Sequence, residues 1–548
     1  MSAWVGCSAV GAKGETVEEY VVAAARGMSI SHAAAAAPDR LAIISEFGDR
    51  TFAHLDERAN RLARTFRNAG LRPGDGVALL CRNRPEFVEV VAAVARTGLR
   101  LTCVNWHLTA GEIGYIVDDC EARAFIADAG IGDVAAAVLA TSGADPALRL
   151  AISGPGGGSI AGFDDYDDAL AAADPAPIED AVLGGVMLYT SGTTGRPKGV
   201  RRPPVPPTTL TINTGGYIGA TDRHLCTGPL YHAAPLGISL QAPLLMGAGV
   251  VLMEHWDTEE ALRLVEHHRI THTHMVPTMF HRMLALPDEV KARYDLSSLR
   301  LVVHGAAPCP VPVKQALIEW LGPVVWEYYA ATEGAGTLVD SATWLTKPGT
   351  VGRGAVPGWI VVRDEDGHDL PTGETGTVYL RASKIDPFEY WKDADKTAKT
   401  YDGASEYYTL GDVGHLDEDG FLFLTDRSAN LIISGGVNIY PAEVDAVLLT
   451  HPAVADAATI GVPDDEWGER VVAVIELKPA YRPGNDDLRA ALLEHCRADL
   501  AGFKCPRQVD FIDTLPRQEN GKLYKRLLRE QYRSAAAAHS PEQPPQEA

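Results

Sequence analysis

A short polar loop, rich in glycine and hydroxyl groups, most constrains what this chain can fold into. The loop reads Thr190-Ser191-Gly192-Thr193-Thr194-Gly195-Arg196-Pro197-Lys198-Gly199 and follows the apolar run Val186-Met187-Leu188-Tyr189. The apolar run predicts a buried strand, so the loop leaves the end of that strand. Glycine lets backbone N–H groups approach a ligand closely, hydroxyls add donors, and Lys198 adds a positive charge. Together these groups suit a polyphosphate.

The loop differs from the usual nucleotide-binding P-loop, which ends in Gly-Lys-Ser/Thr. Here Pro197 precedes Lys198 and Gly199 follows it. A flexible glycine turn is the plainer alternative. As a whole, however, residues 189–200 resemble the phosphate-binding signature of the adenylate-forming superfamily, which includes acyl-CoA synthetases, firefly luciferase and the adenylation domains of peptide synthetases. The resemblance implies nucleotide contacts from Thr190, Ser191, Gly192, Thr193, Thr194, Gly195 and Lys198.

Charge and composition restrict the partners of the chain. Its 548 residues include 49 basic and 72 acidic side chains, for a net charge of −23. This balance opposes binding to nucleic acid and to an anionic membrane surface. No apolar run approaches the length of a membrane span, and the N-terminus does not resemble a signal peptide. Eight scattered cysteines without a C-x-x-C pair indicate buried thiols. We therefore expect a cytoplasmic protein with no integral membrane segment and no nucleic-acid partner.

Helix and strand patterns alternate in the first third of the chain. An apolar stripe from Leu55 to Phe66 predicts a helix that Gly70 ends, and a buried strand follows at 76–81. A second helix near 87–95 and a second strand near 101–104 extend the alternation, which favours a parallel sheet flanked by helices. Residues before about 50 form a weakly patterned lead-in. The stretch 140–180, with its acidic run at 164–168, reads as surface loop.

The resemblance covers nearly the whole chain and implies its fold class, α/β and α+β. It predicts a large multi-layered N-terminal αβ domain, residues 1–426, and a small, mobile α+β C-terminal domain, residues 427–532. The active site is expected at the domain interface. Residues 533–548 contain mostly alanine, proline, glutamine and glutamate, which predicts a disordered tail.

Further motifs imply the nucleotide contacts. An apolar strand enters the small-residue turn Gly305-Ala306-Ala307-Pro308, which by resemblance forms one wall of the adenine site, with Tyr329 stacked on or beside the base. Asp412 stands where the family binds both ribose hydroxyls, although Leu410 replaces the usual threonine. Arg427 would reach the ribose or a phosphate.

The resemblance also implies the catalytic residues. In the segment Tyr328-Tyr329-Ala330-Ala331-Thr332-Glu333, Thr332 would donate to phosphate and Glu333 would hold Mg²⁺, a cation that prefers carboxylate oxygen. Lys522, in a segment resembling the family's "LP-R-T-x-x-GK" ending, would contact the reacting carboxylate and the α-phosphate. His232 would lie beside the acyl carboxylate, and a purely structural role stays open for it.

Other patterns carry less chemistry. His272 and His274 share one strand face but lack acidic or cysteine partners at ligand spacing, so a metal site is not favoured. Small residues, at Gly237, Gly305, Ala330 and Ala331, leave room for a bulky acyl group.

The sequence therefore predicts an AMP-forming acyl-CoA synthetase (an acid–thiol ligase) that uses ATP, Mg²⁺ and coenzyme A. It would activate a carboxylic acid, of a fatty or other bulky hydrophobic kind. A stand-alone enzyme that loads the acyl group onto a separate carrier protein is the alternative, and a luciferase-like oxygenase and a nucleotide sensor are more distant ones. The identity of the acid and the oligomeric state, a homodimer included, are not readable from the sequence.

Overall fold

The computed structural model describes residues 17–143, 145–154, 157–190, 197–206, 216–427, 430–434, 437–464, 467–517 and 523–538. The helices are α1 (Val17–Ala25), α2 (Ser29–Ala36), α3 (Phe52–Asn68), α4 (Pro85–Thr97), α5 (Ala110–Asp119), α6 (Gly132–Thr141), α7 (Tyr166–Ala171), α8 (Ala242–Leu245), α9 (Thr258–His268), α10 (Pro277–Leu284), α11 (Asp288–Lys291), α12 (Val311–Leu321), α13 (Ser341–Thr346), α14 (Ala394–Thr400), α15 (Pro441–Leu448), α16 (Asp486–Asp499) and α17 (Lys525–Ala538).

The strands are β1 (Leu41–Ile44), β2 (Arg50–Thr51), β3 (Gly76–Leu80), β4 (Arg100–Cys103), β5 (Ala122–Asp128), β6 (Leu148–Ile152), β7 (Asp164–Asp165), β8 (Gly185–Thr190), β9 (Lys198–Arg201), β10 (Arg223–Cys226), β11 (Gly249–Leu252), β12 (His272–Met275), β13 (Leu301–His304), β14 (Val325–Ala331), β15 (Gly334–Val339), β16 (Gly352–Arg353), β17 (Ile360–Arg363), β18 (Gly376–Arg381), β19 (Glu389–Tyr390), β20 (Tyr407–Leu416), β21 (Phe421–Arg427), β22 (Ile432–Ser434), β23 (Val437–Ile439), β24 (Val454–Asp464), β25 (Gly468–Leu477) and β26 (Gln508–Ile512).

An eight-stranded sheet carries the strand before the polar loop. Its order is β19-β9-β8-β4-β3-β5-β6-β7, and the six strands from β8 to β7 in that order run parallel. All of β3 is buried, as expected for a parallel strand covered on both faces. Thr51 caps the start of α3, since its side chain accepts a hydrogen bond from the His54 amide, and α3 buries the stripe that includes Leu55 and Phe66. The predicted parallel sheet with flanking helices is confirmed.

A thirteen-stranded sheet contains the remaining large-domain motifs. Its order is β17-β18-β20-β21-β16-β15-β14-β13-β12-β10-β11-β1-β2. The strands from β14 to β1 in that order are parallel, whereas those from β17 to β15 are paired antiparallel. β14 therefore stands where the parallel half meets the antiparallel half, and the segment that follows it lies centrally on the sheet.

A five-stranded sheet forms the small domain. Its order is β23-β22-β25-β24, and β26 pairs parallel with β25 on the side opposite to β24. Apolar side chains of α15 and α16, such as Val444 and Leu492, pack on one core of this sheet, while Leu528 of α17 is buried in a second. The large αβ domain and the smaller α+β domain agree with the predicted fold class.

Two local predictions differ from the structure. The stretch 140–180 is not all surface loop, because it contains β6 and α7, and its acidic run at 164–168 forms β7 and the start of α7, where the Asp165 side chain accepts from the Asp168 amide and caps the helix. Residues 533–538 belong to α17 and not to a disordered tail, as fits their four consecutive alanines, the best helix formers. Residues 539–548 lie outside the described part.

Two further findings concern the described residues taken together. No described helix combines the length and the apolar character needed to cross a bilayer. The seven cysteines within the described residues are unpaired, and six of them are buried, as the sequence predicts.

Candidate active site

The Thr332-Glu333 pair forms the connection of a tight hairpin. β14 pairs antiparallel with β15, and Ala331 lies opposite Gly334. Thr332 and Glu333 are therefore the only two residues between the paired strands. A side chain at Gly334 would collide with the Tyr408 hydroxyl, which explains the glycine there. The turn therefore holds the Glu333 carboxylate at a fixed place on the sheet.

Tyr390 orients Glu333. Its hydroxyl donates a hydrogen bond of 2.8 Å to Glu333 Oε1. Tyr390 is buried and belongs to β19, which pairs with β9. Within the described residues this is the one hydrogen bond to the Glu333 carboxylate, so Oε2 is left for another ligand. A partly satisfied carboxylate of this kind fits Mg²⁺, which takes few protein oxygens and keeps phosphate and water.

The polar loop closes a hairpin of its own. β8 ends at Thr190, β9 begins at Lys198, and these two residues lie opposite each other in the antiparallel pair. The predicted strand before the loop is confirmed, and it ends at Thr190. The predicted phosphate contacts of Ser191, Gly192, Thr193, Thr194 and Gly195 lie outside the described residues. The pairing of Thr190 with Lys198 fixes the points at which the chain enters and leaves this segment.

The Lys198 side chain lies close to the start of α14, a helix that no sequence motif indicated as part of the site. Its ammonium lies 3.5 Å from Asp393 Oδ2. The other Asp393 oxygen accepts from the Lys396 amide at 3.0 Å and so caps α14. The Lys396 ammonium lies 4.4 Å from the centroid of the Tyr390 ring. Thus Lys198, Lys396 and Tyr390 gather at the Glu333 turn.

The segment 389–400 was missed for a physical reason. Tyr390 is 57 residues from Glu333 in sequence and reaches it only through the pairing of β19 with β9. The Trp391 indole then donates to the Asp119 carbonyl at 2.8 Å and fixes the segment to the end of α5. The available signal was Asp393 itself, because aspartate is a residue type that commonly precedes a helix.

Tyr329 joins the hairpin to the predicted ribose ligand. Its hydroxyl donates to Asp412 Oδ2 at 2.5 Å. Asp412 is buried in β20 and lies opposite Arg427 of β21 in the register. The backbone of Arg427 is thereby placed next to the ribose candidate, whereas its predicted side-chain contact lies outside what the structure describes.

The predicted adenine wall is a turn packed against a tyrosine. β13 ends at His304, and a Cβ on Gly305 would lie 2.6 Å from the Tyr328 ring, so glycine is required at that position. Ala306 follows with φ of 67°, in the left-handed region. Gly305 therefore opens no acyl space, contrary to the expectation from its size, because the Tyr328 ring fills that volume. Ala306 and Pro308 are exposed, with Ala307 between them, and are free of this constraint.

His232 lies in a cluster of aromatic rings. Its ring centroid is 4.6 Å from that of Tyr231, and Tyr231 in turn lies 6.5 Å from His107. The His107 ring lies 3.5 Å from Trp106. A π-helix, Pro235–Gln241, follows His232, and a Cβ on its Gly237 would have no neighbour within 4 Å. Gly237 therefore borders open space in the helix that follows this aromatic cluster.

Lys522 lies outside the described residues, but the base of its loop is described. Arg517 and Leu523 form an antiparallel bridge across the loop, and Arg517 Nη2 donates to Asp456 Oδ1 at 2.7 Å. Asp456 belongs to β24 of the small domain and faces His281 of α10, in the large domain. Burial lowers the pKa of His281. The side chain that holds the loop base thus also lies at the contact between the two domains.

Two buried histidines of the large sheet, His272 and His274, contact tyrosine side chains. His274 Nε2 lies 3.0 Å from the Tyr328 hydroxyl, and His272 stacks on Tyr217 with centroids 4.1 Å apart. Burial lowers the pKa of His274 to about 4. Among the described residues one group has metal-ligand spacing, the exposed turn of Asp364, Asp366 and His368, and exposed acids commonly cluster without an ion.

Known proteins resemble this chain over nearly its full length. The family model for the AMP-binding enzyme matches residues 30–385, and that for the AMP-binding enzyme C-terminal domain matches residues 443–522. A 2-succinylbenzoate–CoA ligase of Geobacillus kaustophilus (strain HTA426) is 34% identical over 90% of this chain and 95% of its own length. A fatty acid–[acyl-carrier-protein] ligase, ScoC of Streptomyces coeruleorubidus, is 33% identical over 90% of this chain and 94% of its own.

A solved structure gives the same result in three dimensions. The anthranilate CoA ligase AuaEII, in complex with anthranoyl-AMP, aligns with a TM-score of 0.81 at 26% identity, over 93% of this chain and 98% of that one. Fold, motif order and sequence identity thus agree across both domains, and this chain belongs to the AMP-binding enzyme family.

Proposed function

We propose that this protein is an ATP-dependent acyl-CoA synthetase. One observation carries the proposal: the hairpin of β14 and β15 holds a predicted ribose ligand and a predicted phosphate-side ligand together. Tyr329 binds Asp412, and four residues later Glu333 lies beside Tyr390. The sugar and the phosphates of one nucleotide can thus be held at the same time. The family and its ligase members support the same activity.

The chemistry follows from the weakness of a carboxylate as an acyl donor. A carboxylate oxygen attacks the α-phosphorus of ATP, the bond from that phosphorus to the bridging oxygen breaks, and pyrophosphate leaves with the bond electrons. The product is a mixed anhydride, acyl-AMP. Negative charge grows on the phosphates as the bond breaks, and donors fixed in advance around them lower the barrier. Thr190, Lys198 and Thr332 lie on the two hairpins that supply such donors.

Glu333 is the residue of this chain that would hold Mg²⁺. Its turn fixes the carboxylate, and Tyr390 binds one carboxylate oxygen, so the other oxygen is the one proposed for the ion. When bound, Mg²⁺ supplies positive charge to the phosphate oxygens. The contribution of the chain is to orient Glu333 and to keep Lys198 next to it.

The second half-reaction forms the thioester. The sulfur of the thiol attacks the acyl carbon, AMP leaves with the electrons of the anhydride bond, and the thiol proton passes to solvent or to a base. Coenzyme A is the proposed thiol. The fatty acid–carrier ligase among the relatives favours a pantetheine-bearing carrier protein as the second candidate.

The acid is proposed to be a fatty or other bulky hydrophobic acid. The open space beside Gly237 and the rings of Trp106, Tyr231 and His232 support a large apolar or aromatic group. Aromatic and fatty acids both occur in the names of the relatives.

The test is a pyrophosphate assay on the purified protein with ATP, Mg²⁺ and a panel of short, long, aromatic and polycyclic acids. We expect pyrophosphate release only when a suitable acid is present, and AMP plus thioester when CoA is added. A protein that binds ATP but releases no pyrophosphate with any acid would contradict the proposal. Thioester on a holo-carrier protein with none on CoA would favour the second candidate.

A further inference from the structure

We propose that Lys396 acts with Lys198 as a second cation for the β- and γ-phosphates of ATP, the part that leaves as pyrophosphate. The inference rests on the proposed function for its nucleotide. It adds a residue from α14, a helix remote in sequence from the predicted phosphate loop, to the phosphate end of the site.

Several interactions fix the position of Lys396. Its amide donates to Asp393, its ammonium lies 4.4 Å from the centroid of the Tyr390 ring, and that tyrosine binds Glu333. The Lys198 ammonium lies 3.5 Å from the other carboxylate oxygen of the same Asp393. Two lysines from separate elements, β9 and α14, therefore point at one place next to the Glu333 turn.

The charges at this place are unbalanced without a ligand. The Lys198 and Lys396 ammonium groups are close enough to repel each other, and the carboxylates that attract them among the described residues are Asp393 and Glu333. Glu333 is the proposed Mg²⁺ ligand, which leaves Asp393 as the remaining carboxylate for both lysines. Burial and the neighbouring Lys198 lower the pKa of the Lys396 ammonium to about 8. Like charges held together in a half-buried site are costly, and a polyphosphate placed between them removes that cost.

The placement also predicts which ligand is affected. Lys198 and Lys396 lie at the Glu333 end of the hairpin, whereas Asp412 and Tyr329 mark the ribose end. AMP has only the phosphate next to the ribose. Lys396 should therefore serve ATP and pyrophosphate and contribute little to AMP.

The matched pair of variants is Lys396→Met and Lys399→Met. Lys399 lies on the same helix, three residues further on, and is exposed. Methionine keeps most of the length of the side chain and removes the charge. Lys396→Gln and Lys396→Arg serve as a second neutral variant and as the charge-conserving one. Thermal unfolding of each variant establishes that it is folded.

Calorimetric titrations with ATP, free pyrophosphate and AMP, each in Mg²⁺, measure the effect. We expect Lys396→Met and Lys396→Gln to weaken ATP and pyrophosphate about 10- to 100-fold, the range for losing one hydrogen bond to a charged group. AMP should bind within about twofold of wild type, on the same reasoning that no such bond is lost. Lys396→Arg should restore most of the loss, and Lys399→Met should change none of the three ligands.

Two results would overturn the inference. One is unchanged binding of ATP and pyrophosphate in both neutral variants, and the other is an equal loss for AMP, which would indicate a general disturbance of the site. The failure of the proposed function looks different, since wild type would then bind ATP and yet release no pyrophosphate with any acid.

Discussion

The hydroxyl of Tyr329 donates a 2.5 Å hydrogen bond to Oδ2 of Asp412, across the antiparallel half of the large sheet. The tyrosine comes from the last parallel strand, β14, and the aspartate from β20, with three strands between them in the sheet order. This bond makes the predicted ribose ligand part of the same rigid unit as the Glu333 turn. Asp412 is buried, so its position depends on the sheet and not on a mobile loop.

Asp412 should discriminate ribose from 2′-deoxyribose. A carboxylate is the right acceptor for a sugar hydroxyl, so wild type should bind AMP about 10- to 100-fold more tightly than 2′-deoxy-AMP. Asp412→Asn should weaken AMP and bring that ratio near one. The control is Asp419→Asn, in the exposed turn between β20 and β21, which should keep the ratio. Titration calorimetry with the two nucleotides measures it, and a ratio unaffected by Asp412→Asn would exclude the ribose role.

Glu333 should set the dependence of adenylation on Mg²⁺. Glu333→Gln keeps the size and the acceptor for Tyr390 but removes the charge, so acid-dependent pyrophosphate release should fall by a few orders of magnitude, roughly several kcal/mol. The control is Glu389→Gln, one residue before Tyr390, where the carboxylate pairs with Arg201 at the surface. Rates are measured over a Mg²⁺ titration. If Glu333→Gln is as active as wild type at limiting Mg²⁺, the carboxylate does not hold the ion.

The sequence was informative wherever a motif is continuous in the chain. The strand ending at Thr190, the buried strand β3 and the turn after His304 all follow from local patterns of apolar and small residues. The fold class follows from the alternation of helices and strands and from the resemblance to a known family.

The remaining features depend on contacts between distant segments. Tyr390 and Lys396 reach the Glu333 turn through strand pairing that no local pattern encodes. The same holds for Gly305, whose missing side chain reflects the Tyr328 ring and not an open pocket. The acidic run at 164–168 was misread because aspartates favour loops as well as helix starts, and only the bond from the Asp168 amide to Asp165 distinguishes the two.

His274 should contribute to acid sensitivity. Burial lowers its pKa from 6.5 to about 4, so between these pH values the unfolded chain takes up a proton that the folded protein refuses. Stability from this group is therefore lost as the pH falls from 6.5 and is fully lost below 4, at a cost of about 3 kcal/mol. Burial also lowers the pKa of His224 and His304, which adds to the effect in the same direction.

The measurement is the melting temperature of His274→Gln and wild type between pH 7 and pH 4.5. Each protein is referred to its own value at pH 7, because the substitution also alters the contact with Tyr328. We expect a smaller fall for His274→Gln. His255→Gln, at an exposed position, should follow wild type. Parallel curves for all three proteins would contradict the assignment.

Lys522 should serve the first half-reaction and not the second. Its loop belongs to the small domain, and the base of the loop is fixed by Arg517 to Asp456, which itself faces His281 of the large domain. A change of domain orientation therefore moves the base of the loop together with β24. By the family resemblance, the lysine contacts the carboxylate and the α-phosphate in one orientation and is withdrawn in the other.

The expected signature is an asymmetric loss. Lys522→Ala should lower acid-dependent pyrophosphate exchange by about 10²- to 10³-fold, the scale for one transition-state contact with developing charge. Given pre-made acyl-adenylate and CoA, the same variant should form thioester at close to the wild-type rate. Lys504→Ala is the control, because Lys504 lies in the same domain and pairs with Glu443 at 2.6 Å. It should leave both half-reactions intact. An equal loss in the two half-reactions of Lys522→Ala would mean that this lysine supports the fold or both orientations, and the small domain would then need no rotation to explain the activity.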